Sequence, residues 1–368
     1  MRRRTLVVSL SYLGSVALYV FVFIVSACVL RAKIRNRTLQ IVLASVLPFL
    51  ISGFRYNVGW DYGSYAWGYE LFDPSLSLFE MLSEYQFGDS IGLNLVLIIT
   101  KNLNSQFLFF GITSALCFVP AFLYLKKEWD TREYFIPLAI FVTGFSLFFT
   151  GLSAIKQGIA ISFCLYSLSY VFHRKPVKFL LFVVIAFLFH SSALLFLPVY
   201  FCWDHRGKSA GWKQFCAIGG AFLFLTFFAE IISTFGGERF EEYATSVVRT
   251  NNYMFYLTLF WLLIFLVFRR KLVKLDARNE MLIVLYAIAV IFMLLGFQNA
   301  FVKRIAYYFD VVQIMLLPQL VFIFTKRSRK LVVMLVGVYI VLYCMMQNSG
   351  AVDSMAPIPY AFVFGELA

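Results

Sequence analysis

The chain has 368 residues, of which 61% are hydrophobic and 14% are charged. An ordinary soluble domain has about 25% charged residues, so this composition excludes a soluble globular protein and indicates an integral membrane protein. The formal net charge is +13, but the basic residues form short clusters between apolar runs. Such clusters report membrane orientation rather than nucleic-acid binding, and no nucleic-acid partner is predicted.

Apolar runs of about 20 residues recur along the chain, each long enough as a helix to cross a hydrocarbon core about 30 Å thick. The first run, from Thr5 to Leu30, follows MRRR and has no small-residue cleavage site. It therefore predicts a membrane helix rather than a signal peptide. Four basic clusters mark the cytoplasmic side most firmly: Arg31, Lys33, Arg35 and Arg37; Lys126, Lys127 and Arg132; Arg269, Arg270, Lys271 and Lys274; and Lys326, Arg327, Arg329 and Lys330.

The segment 55–104 lies between apolar runs at 39–54 and 105–125, and its charges are mainly acidic. This pattern predicts that the segment faces the extracytoplasmic side. The next runs, at 134–150 and 155–172, are predicted to form a helical hairpin with GLSAIKQG at its outer turn.

The run 179–200 is one apolar stretch, and a single membrane crossing cannot begin and end on the same side. Basic residues precede it at 173–178 and follow it at 204–213, and both groups indicate the cytoplasm. A re-entrant hairpin broken near His190 accounts for this, provided that its irregular backbone is buried in protein or lines a wet cavity. A basic cluster assigned to the wrong side accounts for it equally.

Further spans are predicted at 213–235, 253–268, 280–300, 303–324 and 331–347. The predicted fold is therefore an all-α, polytopic transmembrane helical bundle of about 10–11 membrane segments. We predict one integral membrane domain over residues 1–368, with extracytoplasmic segments around 55–104 and 236–252.

Few ionisable residues interrupt the apolar runs. Each costs about 2.5–3.5 kcal/mol at the membrane centre, so it usually faces a cavity or a partner. Lys156 and Gln157 follow GLSA, His190 interrupts a long run, and Arg304 lies at the start of KRIAYYFD. Each also has a structural interpretation: Lys156 can snorkel to head groups, and His190 can be a satisfied core histidine. The rings between 56 and 69 can form an interfacial aromatic belt.

The combination of these residues is more informative than any one of them. Arg55, Lys156 and Arg304 come from three segments predicted on one side of the membrane, and Asp61 follows Arg55 by six positions. Such cations suit an anionic ligand, and we predict a diphosphate. A neighbouring carboxylate can act as general base. No paired metal ligands occur in these segments, so we predict a site with neither metal nor cofactor.

RYNVGWDYGSY (55–65) resembles the R-x-x-V-G-x-D-Y-x-x-Y signature of the EpsG family of bacterial exopolysaccharide proteins. LSAIKQGIAISFCLYSLSYVFHRKPVKFLLFVVIAFLFHSSALLFLP (152–198) is similar to the family's R-Q-x-x-A segment followed by its F-H-x-S-A stretch. KRIAYYFD and IPY (358–360) resemble its late motifs. Lys156 stands where the family pattern has arginine, which keeps the positive charge but not the paired donors.

This resemblance implies a Wzy-type polymerase of O-antigen or a related surface polysaccharide, with a GT-C-like glycosyltransferase architecture. Such a protein lies in the bacterial inner membrane and joins repeat units carried on undecaprenyl diphosphate at the outer face. In Gram-negative bacteria the resemblance further implies a chain-length regulator as partner.

Roles follow for the candidate residues on this interpretation. Asp61 is the expected general base or acceptor-orienting group, and His190 acts on the acceptor or on phosphate. Arg55, Lys156 and Arg304 are expected to bind the diphosphate. The residues expected to position sugar or phosphate, or to cover the site, are Tyr62, Tyr65, Gln157, Arg239, Tyr243 and Tyr307. Arg239 and Tyr243 equally fit a solvated loop.

Three rival functions remain open. A membrane O-acyltransferase that modifies surface sugars would use His190, but it would leave the cluster around Arg55 unexplained. A transporter of lipid-linked oligosaccharides would be expected to show two related halves, which the sequence lacks. A scaffold of a synthesis complex would tolerate substitution of Arg55 or Asp61.

Overall fold

The computed structural model describes residues 6–75, 90–129, 133–203, 220, 253–297, 300–350 and 355–364. In this part of the chain, five helices are long and apolar enough to cross a membrane, and one bent pair of helices makes a sixth candidate span. The prediction of an all-α polytopic membrane protein is confirmed. Six shorter apolar helices of 10–17 residues accompany these spans, so the total of about 10–11 membrane segments stays a prediction.

The chain divides into two compact units, and the first comprises Met1–Tyr166, Leu181–Ala193 and Arg327–Ala368. Its elements are β1 (Leu6–Ser9), α1 (Tyr12–Arg31), α2 (Arg37–Gly53), α3 (Tyr62–Leu71), α4 (Ile91–Asn102), α5 (Gln106–Glu128), α6 (Ile136–Ser153), most of α7 (Ile155–Phe172), the end of α8 (Pro176–Phe189), nearly all of α14 (Lys326–Asn348) and β2 (Ala361–Phe364). A short 3-10 turn, Glu133–Phe135, precedes α6, and residues Gly144–Phe148 within α6 form a π-helical turn.

The second unit comprises Ser167–Leu180 and Leu194–Lys326. It contains most of a 3-10 helix (Ser191–Cys202), followed by α9 (Tyr253–Val267), α10 (Arg269–Leu275), α11 (Asn279–Leu295), α12 (Ala300–Asp310) and α13 (Gln313–Phe322). A buried amide pair connects α11 to α13, because Asn279 Nδ2 donates to Gln319 Oε1 at 2.8 Å and Gln319 Nε2 donates to Asn279 Oδ1 at 2.9 Å.

Polar side chains set several helix ends in the first unit. Ser11, Asn36 and Ser105 precede α1, α2 and α5, and each accepts a hydrogen bond from the main-chain N–H three residues later, at 3.1, 3.0 and 3.3 Å. These are the expected N-cap interactions, which satisfy donors that the helix leaves without partners.

The end of α1 is held by side chains from two other helices. Gln40 Nε2 lies within hydrogen-bond distance of the carbonyl oxygens of Val29, Leu30 and Ala32, at 3.0, 2.9 and 2.8 Å. Lys126 Nζ donates to the Leu30 oxygen at 3.3 Å. Carbonyl groups at a helix end lack partners within the helix, so these contacts stabilise the junction of α1, α2 and α5.

The turn between α6 and α7 agrees with the predicted hairpin. One residue, Ala154, separates the two helices. A Cβ atom on Gly158 would lie 2.9 Å from the Cα atom of Gly151, so the two main chains approach too closely for any side chain. Glycine at position 158 permits this close approach to α6, whereas a Cβ on Gly151 would lie 2.6 Å from Cys117 Sγ.

The structure departs from the predicted boundaries in two places. The predicted helix 5–30 starts only at Tyr12, because Leu6–Ser9 pairs as an antiparallel strand with Ala361–Phe364. The predicted span 303–324 is two helices bent by 44°. This break follows Asp310, a carboxylate within an otherwise apolar run.

The predicted break in the run 179–200 is present. Helix α8 ends at Phe189, and the 3-10 helix begins at Ser191. His190 therefore stands between two helical segments. That this element is re-entrant stays a prediction.

Candidate active site

Arg55 connects two segments that lie about one hundred residues apart in the sequence. Its side chain is 1% exposed. Nη1 donates to the carbonyl oxygen of Val58 at 3.1 Å and to that of Leu152 at 2.6 Å. The first bond closes the turn that follows α2, and the second ties this turn to the end of α6. Arg55 therefore organises the main chain of the site.

Aromatic rings surround the Arg55 guanidinium. Its Cζ atom lies 4.4 Å from the centre of the Phe110 ring and 5.6 Å from that of Tyr62. Cation–π attraction compensates in part for the loss of water around the charge. Burial lowers the pKa of Arg55 to about 10, so the side chain remains charged at neutral pH. Among the described residues, its Nε atom has no hydrogen-bond partner.

Gly59 allows the Arg55 turn to approach α6. Its φ angle is +113°, and a Cβ atom at this position would lie 2.0 Å from the Leu152 carbonyl oxygen. Only glycine fits a main chain that is both left-handed and this close to another. Trp60 extends the contact, because its main-chain N–H donates to Ser153 Oγ at 3.2 Å.

Helix α3 carries the tyrosines of the predicted signature. Tyr62, Tyr65 and Tyr69 recur at helical spacing and are buried in one apolar cluster with residues of α4, α5 and α7. Two tryptophans remain on the exposed side of the same segment, Trp60 at 44% and Trp67 at 56% exposure. The face of α3 that carries these tyrosines therefore packs against the apolar cluster.

Asp61 and Lys156 lie on adjoining stretches of main chain. Asp61 directly precedes α3, and its side chain does not cap that helix. The Tyr65 hydroxyl accepts a hydrogen bond of 3.5 Å from the Lys156 N–H. Both charged side chains are half-buried, whereas Gln157 is buried. Two half-buried groups of opposite charge thus lie on main-chain segments that adjoin at the Arg55 turn.

The third converging segment is the one that contains IPY. The N–H of Tyr56 donates to the Ala361 oxygen at 3.0 Å, and the N–H of Val363 donates to the Phe54 oxygen at 2.8 Å. The Tyr360 hydroxyl donates to the Ile51 carbonyl oxygen at the end of α2. Tyr360 was not among the predicted site residues, although the IPY motif that contains it was noted in the sequence.

His190 lies at the break after α8, next to a member of the tyrosine cluster. Phe189 packs in the apolar cluster that contains Tyr62 and Tyr65. The His190 Nδ1 atom lies 2.7 Å from Ser192 Oγ. This serine also escaped prediction, and its spacing in F-H-x-S-A was the available signal.

The remaining candidates are not part of this cluster as described. Arg304 and Tyr307 lie one turn apart on α12 in the second unit, where Arg304 is exposed and Tyr307 is half-buried. Arg239 and Tyr243 lie outside the described residues. Within the described part of the chain, no group of three or more His, Cys, Asp and Glu side chains could hold a metal ion. Metal-independent chemistry stays a prediction.

The structure thus brings six predicted site residues into one region of the first unit: Arg55, Asp61, Tyr62, Tyr65, Lys156 and Gln157. Their proposed roles in binding and catalysis stay predictions. The contacts show that the buried side chains of Arg55, Tyr62 and Tyr65 stabilise the packing of this region. The side chains of Asp61 and Lys156 are more exposed to solvent.

Comparison with known proteins identifies the family. No curated protein and no solved structure gives a significant match to the chain. The EpsG family, in contrast, matches residues 38–362, which include every motif on which the resemblance was based. Since this match covers most of the sequence, the chain belongs to the EpsG family.

Proposed function

We propose that this protein is a Wzy-type polymerase that joins repeat units carried on undecaprenyl diphosphate at the outer face of the bacterial inner membrane. Membership of the EpsG family suggests a polysaccharide polymerase-like membrane protein. The observation that carries the finer proposal is the meeting of three distant motifs at Arg55. Its hydrogen bond to Leu152, together with the contacts of Tyr56 and Tyr360, joins residues from 51–65, 152–157 and 360–363.

The proposed reaction is glycosyl transfer with a lipid diphosphate as leaving group. A hydroxyl oxygen of the acceptor sugar attacks the anomeric carbon of the donor chain, and the bond from that carbon to the diphosphate oxygen breaks. The acceptor proton passes to Asp61, and the electron pair of the broken bond remains on the diphosphate. Such a base must come within hydrogen-bond distance of the hydroxyl, and the half-buried position of Asp61 permits that.

Cations stabilise the charge that develops on the leaving group. Electrostatic stabilisation of this kind is usually the largest contribution to catalysis. Lys156 fits the role because its side chain is half-buried beside the Arg55 turn. Arg55 supplies a fixed positive charge, since its Nη1 atom donates to the main-chain oxygens of Val58 and Leu152. Arg304, which is exposed on α12, stays a predicted diphosphate ligand.

The test is the polysaccharide profile of cells that lack this gene and carry one of several variants. Asp61→Asn, Lys156→Ala and Arg304→Ala should fail to restore the ladder of long chains at normal membrane level. Two matched controls should restore it: Asp73→Asn, which alters an exposed carboxylate, and Lys101→Ala, which removes another half-buried lysine of the first unit.

The null strain decides between the rival functions. A polymerase predicts a single repeat unit in place of the ladder. Full-length chains with altered decoration would instead indicate an acyltransferase. Loss of all surface glycan with lipid-linked units retained inside would indicate a transporter. Full activity of all three site variants would overturn the proposed site.

A further inference from the structure

The main chain on both sides of His190 is held in place. The His190 N–H donates to the Ala186 oxygen at 3.0 Å and so completes the last turn of α8. Ser90 Oγ donates to the Phe189 oxygen at 3.0 Å, and the Ala193 N–H donates to the His190 oxygen at 3.1 Å. The main chain at His190 is therefore held by contacts on either side of the break.

One nitrogen of this imidazole faces Ser192. Nδ1 lies 2.7 Å from Ser192 Oγ and 3.4 Å from the main-chain nitrogen of the same residue. A main-chain N–H can only donate, so Nδ1 is the acceptor of this pair. A neutral imidazole that accepts through Nδ1 carries its proton on Nε2. The Ser192 hydroxyl then donates to Nδ1 as well.

His173 provides an internal contrast. Its Nδ1 atom lies 2.7 Å from the Ser169 carbonyl oxygen. A carbonyl oxygen can only accept, so the neutral His173 ring carries its proton on Nδ1. The two described histidines should thus be opposite tautomers. The chain has three histidines, and the third, His205, lies outside the described residues.

We propose that Ser192 is a positioning residue that holds neutral His190 with its proton on Nε2. His190 then carries an N–H donor at Nε2. The next step rests on the proposed function: this donor contacts a diphosphate or sugar oxygen of the lipid-linked substrate. It does not accept the proton of the acceptor hydroxyl, which leaves that role to Asp61. This role explains why a serine follows the histidine by two residues in F-H-x-S-A: its hydroxyl selects the histidine tautomer.

The test measures the tautomer directly in the full-length protein, reconstituted in lipid and labelled with ¹³C and ¹⁵N at histidine. Spectra are recorded at about pH 8.5, where an ordinary histidine with a pKa of about 6.5 is neutral. The three signals are assigned by His173→Gln, His190→Gln and His205→Gln. We expect a protonated Nε2 for His190 and a protonated Nδ1 for His173. A protonated Nδ1 at His190 would overturn the proposal.

Variants then test the part played by the serine. Ser192→Ala should convert the His190 signal to a mixture of tautomers and reduce long-chain polysaccharide several-fold. Ser192→Thr, which keeps a hydroxyl, should restore both, and Ser191→Ala, which removes the neighbouring exposed hydroxyl, should change neither. An unchanged His190 signal in Ser192→Ala would exclude the positioning role.

The two readouts separate this inference from the proposed function. The tautomer is a property of the folded protein and needs no substrate. If the null strain still makes the full ladder, the polymerase proposal fails while the tautomer result stands. If the ladder is lost in the null strain but His190 carries its proton on Nδ1, the polymerase proposal stands and the positioning role of Ser192 fails.

Discussion

A methyl group at position 59 would disturb the contact on which the candidate site is built. In Gly59→Ala, the new Cβ would stand 2.0 Å from the Leu152 carbonyl oxygen. That oxygen belongs to the main chain, so no side-chain rotation relieves the overlap. A backbone conformation with φ of +113° adds strain of about 1–3 kcal/mol for a residue with a side chain.

Displacing Leu152 would also break its hydrogen bond from Arg55, which is 2.6 Å long. A hydrogen bond to a charged group contributes about 1.5–3 kcal/mol. The two effects together lower the free energy of unfolding by about 2.5–6 kcal/mol. We therefore expect Gly59→Ala to reduce thermal stability in detergent and to abolish the polysaccharide ladder.

Gly63→Ala is the matched control in the same motif. A Cβ at position 63 would meet only the end of the Met355 side chain, at 3.0 Å from Cε and 3.2 Å from Sδ. Because methionine is flexible, this change should be tolerated. The measurement is the unfolding of both purified variants in the same detergent. Equal stability of Gly59→Ala and Gly63→Ala would refute the proposed geometry of the Arg55 turn.

Three further predictions concern buried polar groups. Arg55→Met should lower the free energy of unfolding by about 1.5–3 kcal/mol for each lost hydrogen bond, as measured by denaturation in detergent; an unchanged value would contradict the organising role of this residue. Gln40→Leu should lower the free energy of unfolding by about 1–3 kcal/mol, because the carbonyl groups at the end of α1 lose the hydrogen bonds from this amide, and normal stability would show that water replaces the amide. Asn279→Leu should be strongly destabilising alone, whereas the double variant with Gln319→Leu should lose less than the two single variants combined; strict additivity in this double-mutant cycle would refute a coupled pair.

The features that the sequence predicted well depend on local properties. The run predicted at 155–172 is helix Ile155–Phe172, and the run at 39–54 is helix Arg37–Gly53. Length and hydropathy suffice for such helices, because a membrane span needs little beyond a long apolar segment. The break near His190 was also predictable, since a polar group interrupts a long apolar run there.

The features that escaped prediction depend on contacts between distant segments. Strand Leu6–Ser9 exists because of its pairing with Ala361–Phe364, and nothing in LVVS distinguishes it from the start of a helix. Arg55 was predicted as a phosphate ligand from its charge. Its main-chain acceptor at Leu152 could not be anticipated, because every residue has a carbonyl group and sequence does not show which one a side chain reaches.

The pairing of Tyr56 with Ala361 has a consequence for the order of events during synthesis. The ribosome makes about 5–20 residues per second, so Ala361 follows Tyr56 by roughly 15–60 s. During that interval α2 can enter the membrane, but the turn that contains Arg55 still lacks its strand partner. The strand pairing of this turn is therefore a late event of assembly, and a chain interrupted before Ala361 would lack it.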